Sequence, residues 1–121
     1  MAIYTVTIPY KFYSLNEYTE ANRRNPHKGA NMKREMEEAI TPYIDMLPVI
    51  TKPITISFEW QEANMKRDPD NVAFNKKPIL DTMVRLGKIR NDNMKVVKGF
   101  KDDFTVGKDY KVTLTIREVE E

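Results

Sequence analysis

The chain has 121 residues, 40% of them hydrophobic and 31% charged, with no cysteine and one histidine. This length and composition suit a single globular domain that spans residues 1–121. The absence of cysteine excludes disulfides, thiolate metal sites and cysteine nucleophiles, and a single histidine cannot form a histidine metal cluster. No apolar run approaches the ~18 residues of a membrane span, and the N-terminus lacks the features of a signal peptide. We therefore expect a cytoplasmic protein.

The net charge of +2 is unevenly distributed along the chain. Residues 66–101 contain 10 Lys or Arg and 4 Asp, a local charge of +6, so the remaining residues sum to −4. Acids held within a cationic segment suit a hard divalent metal ion that meets a polyanion. The composition of this segment therefore points to phosphodiester chemistry as the hypothesis to test.

Three segments alternate apolar and polar residues, which is typical of half-buried strands. They lie at residues 4–8, 54–61 and 110–117. A fourth strand is predicted at residues 94–100, where the alternation is weaker and Gly99 suggests a bulge.

Two segments between these strands have apolar residues at helical spacing. The first covers residues 36–47, and Pro42 predicts a kink or a restart within it. The second begins after residue 70 and ends at Gly87, with Pro78 expected to distort its middle. The order β-α-β-α-β-β predicts an α+β fold, with a mixed four-stranded sheet and two main helices packed on it.

Residues 10–31 show neither the alternation of a strand nor the apolar spacing of a helix, and they are expected to form a long loop. Basic residues alternate with aromatic ones here, and this mixture can hold a nucleic-acid backbone or stack on bases. The alternative is a surface loop whose aromatic side chains pack against the sheet. Long loops in small domains are often functional, which favours a contact with nucleic acid.

Two aspartates, Asp68 and Asp70, follow the second predicted strand and begin the second predicted helix. Two carboxylates in this position can converge on one metal ion. Asp92 lies in the next connection, and the chain reversal through the helix could return it to the same end of the sheet. Three carboxylates would then hold Mg²⁺ or Mn²⁺, which would activate water and neutralise charge on a phosphate.

A structural interpretation of the same residues is left open. Asp68 followed by Pro69 is typical of a helix N-cap with proline at the first helical position. Asp81 lies four residues after Lys77, which is the spacing of a helical ion pair. Residues 91–93, Asn-Asp-Asn, are equally typical of a turn.

Three short strings of residues carry a family resemblance. They are Lys-Arg-Asp-Pro-Asp-Asn at 66–71, Lys-Lys-Pro-Ile-Leu-Asp at 76–81, and Gly-Lys-Ile-Arg-Asn-Asp-Asn at 87–93. In this order the chain resembles the RusA-type Holliday-junction resolvases, which are small, often prophage-encoded endonucleases of similar length. The resemblance implies a RusA-like α+β domain, a homodimer, and Mg²⁺- or Mn²⁺-dependent symmetric nicking of four-way junction DNA in recombination and repair.

The resemblance also implies which acids hold the metal. The catalytic acids of the family match Asp68 and Asp70, which lie together in the Asp-x-Asp-Asn string. The third acid maps to Asp92 less directly, because many members have two adjacent aspartates where this chain has Asp92 and Asn93. We choose Asp92, because a hard cation prefers the charged carboxylate.

The essential lysine of the family corresponds to Lys76 or Lys77. Counting back from Asp81 selects Lys77. In a regular helix Lys77 shares a face with Asp81 and lies two turns after Asp70, whereas Lys76 is rotated about 100° away. The sequence therefore favours Lys77 as the catalytic lysine, although Pro78 can break the regular geometry at this point.

We expect contacts with DNA from basic and polar residues in two regions, the first at residues 10–31 and the second at residues 66–101. They are Asn16, Arg23, Arg24, Lys28, Lys66, Arg67, Lys88, Arg90 and Lys95. Two other functions are left open: a nucleic-acid-binding protein without catalysis, and a phage accessory protein with no nucleic-acid role. Metal-dependent nicking of a junction would separate the first from a nuclease, and salt-sensitive DNA binding would exclude the second.

Overall fold

Four strands form one mixed sheet in a computed structural model that describes residues 1–120. The strands are β1 (Ile3–Ile8), β2 (Ile54–Glu62), β3 (Val97–Val106) and β4 (Lys111–Glu118). Their order in the sheet is β1-β4-β2-β3, and β4 is antiparallel to both of its neighbours while β2 and β3 are parallel. The predicted α+β class and mixed four-stranded sheet are therefore confirmed. Glu121, the last residue of the expected domain, lies outside the described residues.

Four helices connect the strands instead of the expected two. They are α1 (Leu15–Arg24), α2 (Pro26–Ile44), α3 (Pro69–Ala73) and α4 (Lys76–Arg85). The first two link β1 to β2, and the last two link β2 to β3. None of the helices described in residues 1–120 is long and apolar enough to cross a membrane.

Residues 10–31 do not form the expected long loop, because α1 and the start of α2 occupy most of it. Ser14 begins α1 with a capping box, in which its hydroxyl oxygen accepts from the backbone N–H of Glu17 and the Glu17 carboxylate accepts from that of Ser14. Asn25 caps α2 through its side chain. The loop prediction was wrong because the helical signal here lies in the caps, since α1 fully buries only Ala21.

The aromatic side chains of this segment pack within the protein. Phe12 is buried and lies edge-on to Tyr10 and to Trp60 of β2, with ring centroids 5.0 and 6.3 Å apart respectively. Tyr18 of α1 packs against Phe74, with centroids 5.6 Å apart. These contacts favour the packing interpretation of the aromatic residues over base stacking.

The two prolines differ in their effect: α2 is not restarted at Pro42, whereas the predicted second helix is interrupted just before Pro78. Helix α2 continues through Pro42 for one further half-turn and ends at Ile44. Pro78 is the third residue of α4, where the helix does not need a backbone N–H. The predicted second helix is instead divided at Phe74 and Asn75, between α3 and α4.

The helices cover one face of the sheet. Alternate residues of the central strands are buried on this face: Ile54, Ile56, Phe58, Trp60, Val112, Leu114 and Ile116. The opposite face is polar and accessible to water, and Thr7 and Thr113 are joined across it by a 3.2 Å hydrogen bond. The alternation predicted from the sequence is therefore confirmed for β2 and β4.

Strand β3 lies at the edge of the sheet and, within residues 1–120, pairs only with β2. It begins and ends later than the predicted 94–100 segment. The register with β2 shifts immediately before Gly99, so the expected bulge is confirmed. Phe100, Phe104 and Val106 lie on the same face as the buried residues of β2 but are 48%, 41% and 53% exposed. The edge strand therefore presents an apolar surface to water.

Candidate functional site

Asp68 and Asp70 lie at the N-terminus of α3, and both are exposed. Asp68 has the extended backbone of an N-cap residue and precedes Pro69, but its carboxylate accepts no hydrogen bond from the helix. Asp68 therefore occupies the N-cap position, as the capping interpretation predicts, but its carboxylate makes no capping hydrogen bond. Within residues 1–120, neither carboxylate takes part in an ion pair. Two acids separated by one residue in the sequence thus remain accessible to a cation.

The segment before α3 is fixed by Arg67. Its Nε and Nη2 donate to the two carboxylate oxygens of Glu62 at 2.6 and 2.9 Å, and its Nη1 donates to the carbonyl oxygen of Phe12 at 2.7 Å. The hydrogen bond with Glu62 raises the pKa of Arg67 above its ordinary value, in spite of the opposing effect of burial. Because three of its five N–H donors bind within the protein and the side chain is only 16% exposed, the structure favours an anchoring role over the expected DNA contact.

Two asparagines join α3 to the chain around α1. Asn71 Oδ1 accepts from the backbone N–H of Asn16 at 3.0 Å. Asn75 is fully buried, and its Nδ2 donates to the carbonyl oxygens of Tyr13 and Val72 at 2.8 and 3.1 Å. Asn75 was not among the predicted site residues, and only its position between two helical segments signals a role. These bonds hold α3 against α1 as a separate short helix.

Lys77 lies between two carboxylates in the first turn of α4. Its Nζ is 3.0 Å from Asp81 Oδ1 and 3.9 Å from Asp92 Oδ2. Lys33 of α2 approaches the other oxygen of Asp81, also at 3.0 Å. The predicted ion pair between Lys77 and Asp81 is confirmed. Asp92 is consequently brought next to α4.

The connection that contains Asp92 is a turn stabilised by its neighbours. The side-chain oxygen of Asn91 accepts from the backbone N–H of Asn93, and that of Asn93 accepts from Lys95, each at 3.0 Å. The turn interpretation is confirmed for the two asparagines. The side-chain oxygen of Asn93 is used within this turn, whereas the Asp92 carboxylate contacts Lys77.

The three predicted metal ligands do not form one cluster. No group of three or more histidine or acidic side chains in the described residues is arranged to hold a metal ion. Mg²⁺ commonly binds through one or two carboxylates, keeps several waters, and takes further oxygens from substrate phosphates. Asp68 and Asp70 fit this smaller requirement, because both are exposed and neither has a competing cation.

Both candidate lysines line the same shallow depression as Asp70, together with Phe74 and Leu80. Lys77 was favoured on the assumption of one regular helix from Asp70 to Asp81. The division between α3 and α4 removes that assumption, because the helical phase is not continued across Phe74 and Asn75. The choice between the lysines therefore depends on their surroundings.

Lys76 extends towards β3. Its Nζ lies 2.6 Å from Asp102 Oδ2, and 5.8 and 5.5 Å from the ring centroids of Phe58 and Phe100. The Lys76 side chain is 22% exposed, whereas that of Lys77 is 62% exposed. Asp102 was not among the predicted site residues, because the predicted fourth strand ended at Phe100. Continuing the strand alternation by two residues would have placed Asp102 on the helix-covered face.

The basic residues of the first region lie on helices rather than in a loop. Arg23 and Arg24 end α1, and Lys28 lies near the start of α2. All three are exposed, and Arg24 forms a 2.8 Å ion pair with Glu20. They form part of one helical hairpin.

The basic residues of the second region differ in accessibility. Lys66, Arg90 and Lys95 are exposed. Lys88 is largely buried, and its Nζ lies 3.4 Å from Asp45. Lys66, Arg90 and Lys95 are therefore better placed than Lys88 to meet a phosphate.

Comparison with protein-family models and with curated proteins gave no match. The resemblance to the RusA-type resolvases therefore rests on the residue strings alone.

The ion pairs of Asp81 predict a pH dependence of stability. Burial raises the pKa of Asp81, but hydrogen bonds and charges from Lys77 and Lys33 outweigh it and leave the pKa below the ordinary value of 3.8. A lowered folded-state pKa stabilises the protein above the unfolded-state pKa, and this contribution is lost as the pH falls through the folded-state value. The Asp81→Asn variant should therefore be less stable than the wild type at neutral pH, with a difference that shrinks below about pH 4.

Urea unfolding followed by tryptophan fluorescence at neutral and acid pH would measure this difference. Asp109→Asn removes an exposed carboxylate with no ion pair in the described residues and serves as the control. If the difference in stability between Asp81→Asn and the wild type stayed the same at acid pH, the role of these ion pairs would be contradicted.

Proposed function

We propose that the protein is a metal-dependent endodeoxyribonuclease of the RusA type, which resolves Holliday junctions by paired symmetric nicks. The observation that supports this function most is the exposed pair Asp68 and Asp70. Neither has an ion-pair partner in residues 1–120, although both lie in the segment of +6 charge. Carboxylates without a structural partner in a cationic segment suit a metal ion that meets a phosphodiester.

Each residue then has a distinct part in hydrolysis. Asp68 and Asp70 would hold Mg²⁺ or Mn²⁺, whereas Asp92, the predicted third ligand, does not form one cluster with them in the described residues. A metal ion bound there would act as a Lewis acid, which activates water and neutralises charge on the phosphate. A lysine at the depression beside Asp70 would stabilise the negative charge that develops on the phosphate oxygens.

We assign this last part to Lys76 rather than to Lys77. A charge acts more strongly where water is largely excluded, and Lys76 is much less exposed than Lys77. Lys77 lies near two carboxylates, those of Asp81 and Asp92, whereas Lys76 is paired with one, that of Asp102. Lys77 is therefore better suited to hold Asp92 in place.

Substituting the paired acids tests the nuclease function. Asp70→Asn and Asp68→Asn should each abolish metal-dependent nicking of a synthetic four-way junction, because an amide keeps the size of the side chain but loses the ligand charge. Junction binding should persist or tighten, since repulsion of phosphate is reduced. Gel assays of nicking and of binding, with and without Mg²⁺, would measure both effects.

Asp109→Asn, which changes an exposed acid with no ion pair in the described residues, should nick like the wild type. Nicking by Asp70→Asn at the wild-type rate would show that the assigned site is wrong. If the wild type binds junctions but does not nick them with Mg²⁺ or Mn²⁺, the protein is the non-catalytic DNA-binding alternative.

The accessible basic residues predict a salt-dependent affinity for DNA. Each Lys or Arg that neutralises a phosphate releases counterions, so the logarithm of the affinity falls linearly with the logarithm of the salt concentration. Replacing Lys66, Arg90 and Lys95 with Ala should reduce this slope by about 0.9 for each phosphate contact that is lost. Fluorescence anisotropy of a labelled junction across a salt series would give the slope.

A matched triple variant at Lys52, Lys108 and Arg117, which are also exposed, should keep the wild-type slope. Equal slopes for the two triple variants would move the DNA-binding surface elsewhere.

We also propose that the protein is a homodimer that uses the free edge of β3. The strand is ten residues long, and Phe100, Phe104 and Val106 beside its edge are exposed. Exposed apolar residues on an unpaired edge favour pairing with another strand. Two copies related by a twofold axis would pair this edge with itself, and such a dimer would present two sites to a substrate of similar symmetry.

Phe104→Lys should convert the dimer to a monomer, because it places a charge at the centre of the apolar surface. Sedimentation velocity over a concentration series would measure the change. Met46→Lys introduces the same charge at an exposed apolar residue far along the chain and should leave the dimer intact. A wild-type protein that is monomeric throughout, or a Phe104→Lys variant that is still dimeric, would contradict this interface.

A further inference from the structure

Asp102 is the centre of a three-residue contact that joins two strands and a helix. Its Oδ1 accepts from Trp60 Nε1 at 2.8 Å, and its Oδ2 lies 2.6 Å from Lys76 Nζ. Trp60 belongs to β2, Asp102 to β3 and Lys76 to the first turn of α4. Both oxygens of the carboxylate are therefore used, each towards a different element.

The sheet register places Asp102 on the helix-covered face. Asp102 is paired with Phe58, whose side chain is buried, so the carboxylate projects from an otherwise apolar surface. Burying a charge in such surroundings is costly unless it is paired and hydrogen-bonded. Here the buried indole of Trp60 supplies the hydrogen bond and Lys76 supplies the charge.

Aromatic rings restrict where the carboxylate and the ammonium can lie. Phe58 and Trp60 are stacked with centroids 5.4 Å apart and an angle of 9° between their planes. Phe100 packs edge-on against Phe58, and the Lys76 ammonium lies near both phenyl rings. A lysine side chain is otherwise flexible, so this setting reduces the positions open to its charge.

We propose that Asp102, held by Trp60, is a positioning residue that fixes the Lys76 ammonium at the depression lined by Asp70. This inference rests on the proposed nuclease function. An ammonium has three donors, and the bond with Asp102 uses one, which leaves two for phosphate oxygens. Asp102 acts through Lys76 and does not itself contact the substrate.

A purely structural ion pair would give different results from a positioning residue. Loss of a structural pair lowers stability and leaves turnover unchanged. Loss of a positioning residue lowers turnover at saturating protein while junction affinity is kept. It also has no further effect once Lys76 is absent, because the two residues act as one unit.

Asp102→Asn is the most informative variant, because the amide oxygen can still accept from Trp60 while the charge towards Lys76 is lost. Single-turnover cleavage of a four-way junction at saturating protein should fall by about 10- to 100-fold, with affinity unchanged. The double variant Lys76→Ala, Asp102→Asn should cleave no more slowly than Lys76→Ala alone. Asp103→Asn, at the next residue and on the opposite face of β3, should cleave like the wild type.

A second measurement does not depend on nuclease activity. Trp60 is the only tryptophan, so its emission reports the contact with Asp102. Asp102→Asn should keep the wild-type emission, whereas Asp102→Ala should shift it. A double-mutant cycle on unfolding equilibrium constants would measure the coupling between Lys76 and Asp102. The effect of the Asp102→Asn change on the unfolding constant should differ at least about twofold between the wild type and Lys76→Ala.

The outcomes distinguish the positioning role of Asp102 from the proposed nuclease function. Cleavage by Asp102→Asn at the wild-type rate would overturn the positioning role, whether or not stability falls. The positioning role would also be overturned if Asp102→Asn lowered the cleavage rate by the same factor in Lys76→Ala as in the wild type. A wild-type protein that shows the coupling but nicks no junction would overturn the proposed function, and the positioning role with it, while leaving the contact established.

Discussion

The candidate site depends first on the ion pair between Arg67 and Glu62. Glu62 ends β2, and Arg67 also bonds to the carbonyl oxygen of Phe12 in the connection that follows β1. One guanidinium therefore joins the end of a central strand, a loop and the start of α3. Asp68 is the next residue, so its position is determined by a pair that is itself largely buried. Removing either partner would leave an uncompensated charge beside the core, which is strongly destabilising.

The basic character of the chain is more localised in the structure than in the sequence. Several cations in the basic segment are paired with acids: Arg67 with Glu62, Lys76 with Asp102, and Lys88 with Asp45. Acids outside the segment supply these partners, so part of the +6 charge is cancelled within the fold. The potential that remains is concentrated at the accessible cations, and a polyanion would meet separate positive points rather than a uniform surface.

The strands were more predictable than the helices and the site. Strands β2 and β4 bury alternate residues, so the period of two is visible in the sequence. Helix α1 buries little, and its signal is the cap formed by Ser14 and Glu17, which a search for apolar spacing overlooks. Asp68, Asp70 and the pair of Lys77 with Asp81 could be selected from spacing alone. The contacts of Asp102 with Trp60 and of Asn75 with Tyr13 could not, because these partners are distant in sequence and only the fold brings them together.

The strand order constrains how the protein can be made. Strand β4 is the last in the sequence, yet it lies between β1 and β2 and pairs with both. During synthesis on the ribosome, the first strand therefore has no partner until β4 has emerged, and pairing across such a long stretch of chain is slow. The sheet can close only after translation of β4, and the apolar faces of β1 and β2 must stay protected from other chains until then.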